Sequence, residues 1–418
     1  MTELRLFFTS AGRLLLLALR SLWPGPSSRP TAAVGRVLVM VGFVPLFTLV
    51  QLIHWAGLLL DEILFRGYRR VEIREPLFVL GVPRSGTTHL HRVLAQDPQY
   101  TTFSTWECLF APSVTERRFW MGLGWLDAHI GRPLGRLLGL LEQRLFGGMA
   151  QVHRMGLRDP EEDYFALMPV LACFILVLPF PMDPYLWRMG TFDRDMPADE
   201  RTRLLAFYRG CLRRHLYVHG PGKRLLSKNA AFAPLAGSLR ETFPDARFLV
   251  CVREPAQTLP SQLSSVESGV RFFRVLDAVP DFWARLARQL GFYYENLERA
   301  LGDLPDNRCA WVTLAGLKAD LSGTLTAVYG QLGLTLGEPF GACLAREAEL
   351  SRGYRSGHSY SLEQFALAPG TLDPSLERVY GRLSRRSVSP ALPTPSGEAP
   401  RRDGPSGAII STEPALPC

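Results

Sequence analysis

The chain has no CxxC pair among its seven cysteines, which lie at 108, 173, 211, 251, 309, 343 and 418. That scatter excludes a zinc ribbon and a disulfide framework. Cys173 and Cys251 sit inside apolar runs and read as small buried hydrophobes, in keeping with a reducing compartment. There is no internal repeat. There is also no cleavable signal pattern, because the longest apolar run starts too late and no small-residue cleavage site follows it. Charged residues make up 21% and hydrophobic ones 47%, which excludes both a disordered chain and a polytopic transporter. Acids are in deficit: 39 Asp and Glu face 47 Lys and Arg, giving a net charge of +8 and a pI near 9.3. Such a balance suits an anionic nucleotide, an anionic membrane surface or nucleic acid. Nucleic acid is the poorest of the three, since no basic patch is interleaved with stacking aromatics.

What the sequence has is an uneven distribution of apolar residues, with a mean hydropathy of +0.05. From Val37 to Leu60 it reads VLVMVGFVPLFTLVQLIHWAGLLL, without one Asp, Glu, Lys or Arg and with only Thr48, Gln51 and His54 polar. As a helix at about 1.5 Å per residue this run is long enough to cross a hydrocarbon core of about 30 Å; the competing reading is a helix packed on a soluble domain. Pro45 near its middle marks a potential kink. Before it, Arg13 and Arg20 fall on one helix face, which suits a segment lying in a membrane interface. Arginines flank the long run on both sides, at 5, 13, 20, 29 and 36 before it and at 66, 69, 70 and 74 after it, so the positive-inside rule sets no orientation. The stretch from 386 to 418 holds seven prolines and reads as a disordered tail. The expected organisation is therefore a hydrophobic, membrane-associated front (1–74), a single α/β domain (75–385) and the tail (386–418).

Within the central domain, PLFVLG (76–81) and ARFLVCV (246–252) are unbroken apolar runs, each followed by a turn and a helix. A parallel sheet covered by helices on both faces requires strands of this kind. The first run ends in Gly81-Val-Pro-Arg-Ser-Gly86-Thr87-Thr88, a GxxxxG frame followed by two hydroxyl residues. Its glycines let backbone amides and a helix N-terminus surround an anion. Thr87 occupies the place where a Walker loop carries the lysine that reaches the β- and γ-phosphates. With no magnesium-binding acid evident on a second strand, a P-loop kinase or hydrolase becomes the weaker reading.

PRSGTT resembles the 5′-phosphosulfate loop of sulfotransferases that use 3′-phosphoadenosine 5′-phosphosulfate, in the branch containing bacterial sulfotransferases and protein-tyrosine sulfotransferases. The resemblance extends to Lys228 in LLSKNAAF, to Arg253 and Ser261 in VREPAQTLPS, to Trp106-Glu107, to PEED at 160–163 and to HSYSLEQFAL from His358, about residues 61–380 in all. It implies a P-loop-like parallel sheet and sulfonate transfer without a metal. It further implies that Arg84, Ser85, Gly86, Thr87 and Thr88 hold the 5′-phosphosulfate and that Arg253 and Ser261 hold the 3′-phosphate. The chain departs from the family at VTLAGL (312–317), where Leu314 replaces a tyrosine beside the nucleotide.

Sulfonyl transfer requires an oriented acceptor, a base, and cations for the departing phosphate. Arg84 and Lys228 supply the charge. For the base, Glu107 matches the glutamate of protein-tyrosine sulfotransferases, and His153 is the rival on grounds of its ordinary pKa. Glu161, Glu162 and Asp163 read first as first-turn helix acids, with a substrate or base role as the lesser alternative, and His89 and His91 as structural. His358 and Tyr360 stand as candidates for closing over the nucleotide or for packing. FALMPVLACFILVLPFPM (165–182) reads as core helix or as an apolar wall for a hydrophobic acceptor; its prolines exclude a second span. Trp120 and Trp125 suggest a further amphipathic face or a lid helix. The leading expectation is a membrane-associated sulfotransferase acting on a lipid-like or other small-molecule hydroxyl. Its domain would face the cytoplasm in a bacterium, or the Golgi lumen in a eukaryote. The rivals are the P-loop kinase or hydrolase and a non-catalytic anchored protein with a degenerate fold.

Overall fold

The computed structural model describes residues 3–21, 30–146, 156–352, 362–365, 367 and 373–388. His153, His358, Tyr360 and the tail beyond 388 lie outside the described residues.

The chain opens with α1 (Glu3–Ser21) and α2 (Pro30–Leu64), followed by β1 (Leu77–Gly81), α3 (Thr87–Leu94) and β2 (Tyr100–Thr101). Next come α4 (Thr105–Phe110), α5 (Val114–His129) and α6 (Pro133–Phe146). After two 3-10 turns, Asp163–Val170 and Phe174–Val177, follow α7 (Pro184–Met189), α8 (Phe192–Asp195) and α9 (Ala198–His219). The second half holds β3 (Arg224–Lys228), α10 (Ala236–Thr242), β4 (Arg247–Val252), α11 (Pro255–Phe272), α12 (Val275–Ala278) and α13 (Phe282–Leu301). It closes with β5 (Cys309–Thr313), α14 (Leu314–Ala319), α15 (Leu321–Gln331), α16 (Glu338–Arg352) and α17 (Ser375–Arg385).

The five strands form one sheet in the order β2-β3-β1-β4-β5, with every pairing parallel. The expected α/β class and helix-covered parallel sheet are thus observed. Burial follows the strand period of two: Phe78 and Leu80 join a core shared with α9, α10 and α13, while Leu77 and Val79 join the opposite core under α3 and α15. All four interior residues are fully buried, which is why the strand reads as an unbroken apolar run. Gly81 ends β1 where a Cβ would come within 2.3 Å of the Cys251 carbonyl oxygen, so only glycine lets the strands pass.

The 165–182 stretch does not form the long core helix that the sequence allowed. It folds as two short 3-10 turns separated by Leu171 in a left-handed conformation, because Pro169, Pro179 and Pro181 cannot donate helix hydrogen bonds. At the other end, the segment after α17 stays attached to the sheet: Ser387 bridges to Trp311, and the Val388 amide donates to the Trp311 carbonyl at 2.9 Å.

The front of the chain packs on the α/β domain. Leu6, Leu14 and Leu17 of α1 and Met40, Trp55 and Leu58 of α2 belong to the same buried cluster as Leu171, Phe207 and Phe248. α2 continues through Pro45 from Pro30 to Leu64. Among the described residues it is the one helix long and apolar enough to cross a membrane.

Candidate active site

In a parallel sheet all carboxyl ends fall on one edge, and a crevice there is the ordinary place for a ligand. β1, β3, β4 and β5 deliver to that edge the loop 81–86, Lys228, Arg253 and Leu314. Gly86 caps α3 at φ 93°, a left-handed value that favours glycine. Arg84 also takes a left-handed φ of 65°, which costs a non-glycine residue about 1–2 kcal/mol. The loop is held by the Ser85 hydroxyl, which donates to the Val82 carbonyl at 2.6 Å, and by the Val82 amide, which donates to Cys251 at 3.2 Å. The curl leaves the α3 N-terminus facing the edge, with its partial positive charge.

Three of the residues expected to hold phosphates meet directly. Arg84 Nε donates to Ser261 Oγ at 3.1 Å, and Arg253 donates to the Arg84 carbonyl at 3.1 Å. Ser261 is buried in the second turn of α11. Leu314 stands against the loop from the β5 side: a Cβ on Gly86 would lie 2.8 Å from its Cδ1. The position that departs from the family's tyrosine is therefore an apolar wall at the start of α3.

Lys228, the last residue of β3, is buried. Its ammonium donates to Glu162 Oε1 at 2.6 Å and to Thr88 Oγ1 at 3.3 Å. Next to Glu162, Asp163 accepts from Tyr208 at 2.7 Å, from Ser227 at 3.0 Å and from Asn229. Burial outweighs these donors and pushes the Asp163 carboxyl up to about 6. Burial also raises Glu161 above the ordinary glutamate value. The PEED segment is thus a clamp on the end of β3, which presents Glu162 to Lys228. Asp163 also opens the 3-10 turn, as its place after Pro160 suggests, while the pairing of Glu162 with Lys228, 66 positions away, has no local signal in the sequence.

Glu107 occupies a different place. It is the third residue of α4 and accepts from both the amide and the hydroxyl of Ser104, at 2.9 and 2.6 Å, in a capping box. Its other oxygen lies 2.6 Å from His219 Nε2, 3.4 Å from His215 Nδ1 and 3.5 Å from Arg117 Nε. Although burial alone would raise its pKa, Arg117 and the histidines hold the carboxyl well below the ordinary range. The contacts of α9 also show the level at which Glu107 sits. Tyr208 touches Ser227, beside Lys228, whereas His215 bonds Thr101, which pairs with Leu225. Glu107, against His215 and His219, therefore lies further from the carboxyl edge than Lys228 does. Two histidines one helical turn apart and a carboxylate are ligand types that suit a metal ion, but the Arg117 guanidinium shares the same carboxylate oxygen, and its positive charge opposes a second cation there.

His91 is buried with Nε2 2.7 Å from Thr102 Oγ1, and desolvation lowers its pKa, in keeping with a structural role.

The sulfotransferase family model matches residues 76–338, more than half of the chain. The chain belongs to the sulfotransferase family. It is 25% identical over 304 residues to the omega-hydroxy-beta-dihydromenaquinone-9 sulfotransferase Stf3 of Mycobacterium bovis and to that of Mycobacterium tuberculosis, an overlap of 70% of this chain and 72% of each relative. Among solved structures, the sulfotransferase STF9 from Mycobacterium avium superposes with a TM-score of 0.66 at 19% identity, covering 90% of this chain and 94% of that one. The sulfotransferase STF1 from Mycobacterium tuberculosis H37Rv gives 0.59 at 21% identity, covering 90% and 92%. These likenesses establish a common fold. The family resemblance read from PRSGTT, Lys228, Arg253 and Ser261 holds.

Proposed function

We propose that this sulfotransferase moves a sulfonate from 3′-phosphoadenosine 5′-phosphosulfate to the hydroxyl of a hydrophobic, lipid-like acceptor. The observation that carries the reading is the convergence of the 81–88 loop, Lys228 and the Arg84–Ser261–Arg253 cluster at one sheet edge. Loop amides and Thr88 suit the 5′-phosphosulfate, and Arg253 with Ser261 suits the 3′-phosphate. No metal is required for this charge arrangement, because Lys228 and the α3 N-terminus neutralise the leaving phosphate.

For the base we infer Glu162 rather than Glu107. A carboxylate locked in a cap and held strongly acidic accepts protons poorly. Glu162 instead shares Lys228 with the donor site. A sulfonate arriving beside Lys228 competes for the ammonium, which frees the Glu162 carboxylate to accept a hydrogen bond from the acceptor hydroxyl. The acceptor oxygen then attacks sulfur as its proton passes to Glu162. The bond from sulfur to the bridging oxygen breaks, and its electron pair goes to the 5′-phosphate of departing adenosine 3′,5′-bisphosphate.

The apolar acceptor is supported by a cavity of about 170 Å³ between α1 and α2, lined by Phe7, Leu14, Trp55, Pro169 and Leu171. Pro169 and Leu171 belong to the segment that follows Glu162. The named substrate of the Stf3 relatives, a hydroxylated menaquinone, is of the same chemical kind.

Incubating the full chain with isotope-labelled donor and a cell lipid extract should give sulfonated lipids by mass spectrometry. Label found only in protein would redirect the acceptor, and magnesium-dependent consumption of ATP without sulfonation would revive the kinase or hydrolase reading.

A further inference from the structure

The run from Val37 to Leu60 is long enough to cross a bilayer, yet α2 is fastened to the catalytic domain at both ends. Near its start, Arg36 donates to the carbonyls of Phe273 and Pro179, at 2.6 and 2.8 Å. Near its end, the buried Asp61 accepts from Arg214 at 2.9 Å and from the amides of Val114 and Thr115, both at 2.8 Å. The 25 residue steps from Arg36 to Asp61 span about 37 Å, more than the hydrocarbon thickness of about 30 Å. A spanning α2 would pull one end of a single folded domain through the membrane, or would break a buried Asp61–Arg214 pair. Between the anchors, Met40, Gln51, His54, Trp55 and Leu58 are buried and Phe43, Val44 and Phe47 half-buried, the spacing of one helix face against the domain.

The opposite face is apolar and uncovered. Leu38, Leu46 and Ile53 are 67%, 63% and 52% exposed. α1 and α5 both pack beside α2 and continue this character with Phe8, Leu15 and Trp125 exposed. Charge distinguishes what covers the surface. Every acid of α1, α2 and α5 is turned inward: Glu3 and Glu62 pair with Arg214, Asp61 is described above, Glu116 binds His54, and Asp127 caps the start of α6. Arg36 and Arg117 are buried, whereas Arg5 of α1, Arg118 of α5 and, in the α5–α6 hairpin, Arg132, Arg136 and Arg144 are exposed. An apolar face on helices whose acids are all withdrawn, with exposed arginines on α1, α5 and the α5–α6 hairpin, complements the boundary between headgroups and acyl chains of an anionic leaflet.

We propose that α1, α2 and the α5–α6 hairpin form a monotopic platform that lies flat in one anionic leaflet, and that α2 does not cross the membrane. The platform rests on the membrane-associated reading of the front of the chain and is independent of the transfer chemistry. It would bring the cavity between α1 and α2 to the lipid surface, where an amphiphilic acceptor resides.

Two measurements test it on the full chain. The protein should float with vesicles of phosphatidylcholine and phosphatidylglycerol and far less with phosphatidylcholine alone. The double variant Leu46→Glu, Ile53→Glu should lose binding by about tenfold or more while retaining its circular dichroism and bisphosphate binding. Binding unaffected by these glutamates overturns the platform. So does a soluble dimer that the same glutamates dissociate, with no vesicle binding, since the face would then belong to a second copy of the chain. Topology is read separately with Val34→Cys and Arg70→Cys, each introduced with Cys418→Ser; the other six cysteines are buried. A membrane-impermeant maleimide should label both positions from the same side of sealed membranes. Labelling from opposite sides establishes a span and refutes the proposal.

Discussion

The Lys228 ammonium stands 2.6 Å from the Glu162 carboxylate and 3.3 Å from the Thr88 hydroxyl, so one buried cation joins β3, the PEED segment and α3. If the donor draws Lys228 toward its sulfonate, Glu162 becomes the free base at that moment. Glu162→Gln should then lower kcat by about 10²- to 10⁴-fold, the usual worth of a positioned base, with adenosine 3′,5′-bisphosphate affinity preserved. Glu107→Gln should act on the fold instead. Removing one member of a buried charge cluster costs about 3–5 kcal/mol, visible in urea unfolding, while the folded fraction keeps its turnover. An active Glu162→Gln beside an inactive but folded Glu107→Gln would return the role to Glu107.

The Arg84–Ser261–Arg253 cluster predicts nucleotide preference. Adenosine 3′,5′-bisphosphate should bind more tightly than adenosine 5′-phosphate, because only the former offers a second phosphate to Arg253 and Ser261. A charge-assisted hydrogen bond contributes about 1.5–3 kcal/mol, or roughly 10- to 150-fold in affinity. Arg253→Ala should remove most of that difference and leave the 5′-phosphate affinity nearly unchanged. Calorimetry giving equal binding of the two nucleotides by the native protein would dismiss the 3′-phosphate assignment.

How much of this was legible in the sequence depends on the range over which each feature is determined. β1 and β4 declare themselves through unbroken apolar runs, and the loop through glycines whose purpose is local: the backbone turn at Gly86 and the close approach at Gly81. Lys228, Arg253 and Ser261 could be ordered along the chain but not brought together without the sheet. The pairing of Glu162 with Lys228, 66 residues on, and that of Glu107 with His215, His219 and Arg117 from two other helices, are set by the tertiary fold and leave no local signal in the sequence. The length of α2 was plain in the sequence. Its fastening was not, since the partners of Arg36 and Asp61 lie in segments as distant as Phe273 and Arg214.

The buried histidines set a pH dependence of stability. His215 stacks on Phe103 with ring centroids 4.2 Å apart, and burial pulls its pKa from 6.5 down to about 4. Between those values the unfolded chain takes a proton that the folded chain refuses, so stability falls as the pH drops from 6.5 toward 4, by up to about 3 kcal/mol from this group. His91, also held neutral by burial, adds to the same trend. Asp163, raised to about 6, opposes it, because the folded state binds its proton first. Urea midpoints measured across this window should fall more steeply with acid, or rise less, in the native protein than in His215→Gln, with Asp163 and Glu161 opposing the histidines in both. An unchanged slope in that variant would assign the loss to other groups.

Gly86 offers the most local test of the phosphate loop. Its φ of 93° is one that an L-residue adopts at a cost of about 1–2 kcal/mol, and a Cβ there would meet Leu314 Cδ1 at 2.8 Å. Two penalties of different origin therefore fall on Gly86→Ala. Trimming the wall with Leu314→Ala removes the steric one and leaves the backbone one. Gly86→Ala should weaken bisphosphate binding and lower the melting temperature, because the α3 N-terminus must shift to accept the methyl group. Adding Leu314→Ala should recover part of the stability but not the native affinity, since the α3 amides remain held by a strained cap. Full recovery of affinity in the double variant would show that contact with Leu314, rather than the left-handed turn, fixes the loop.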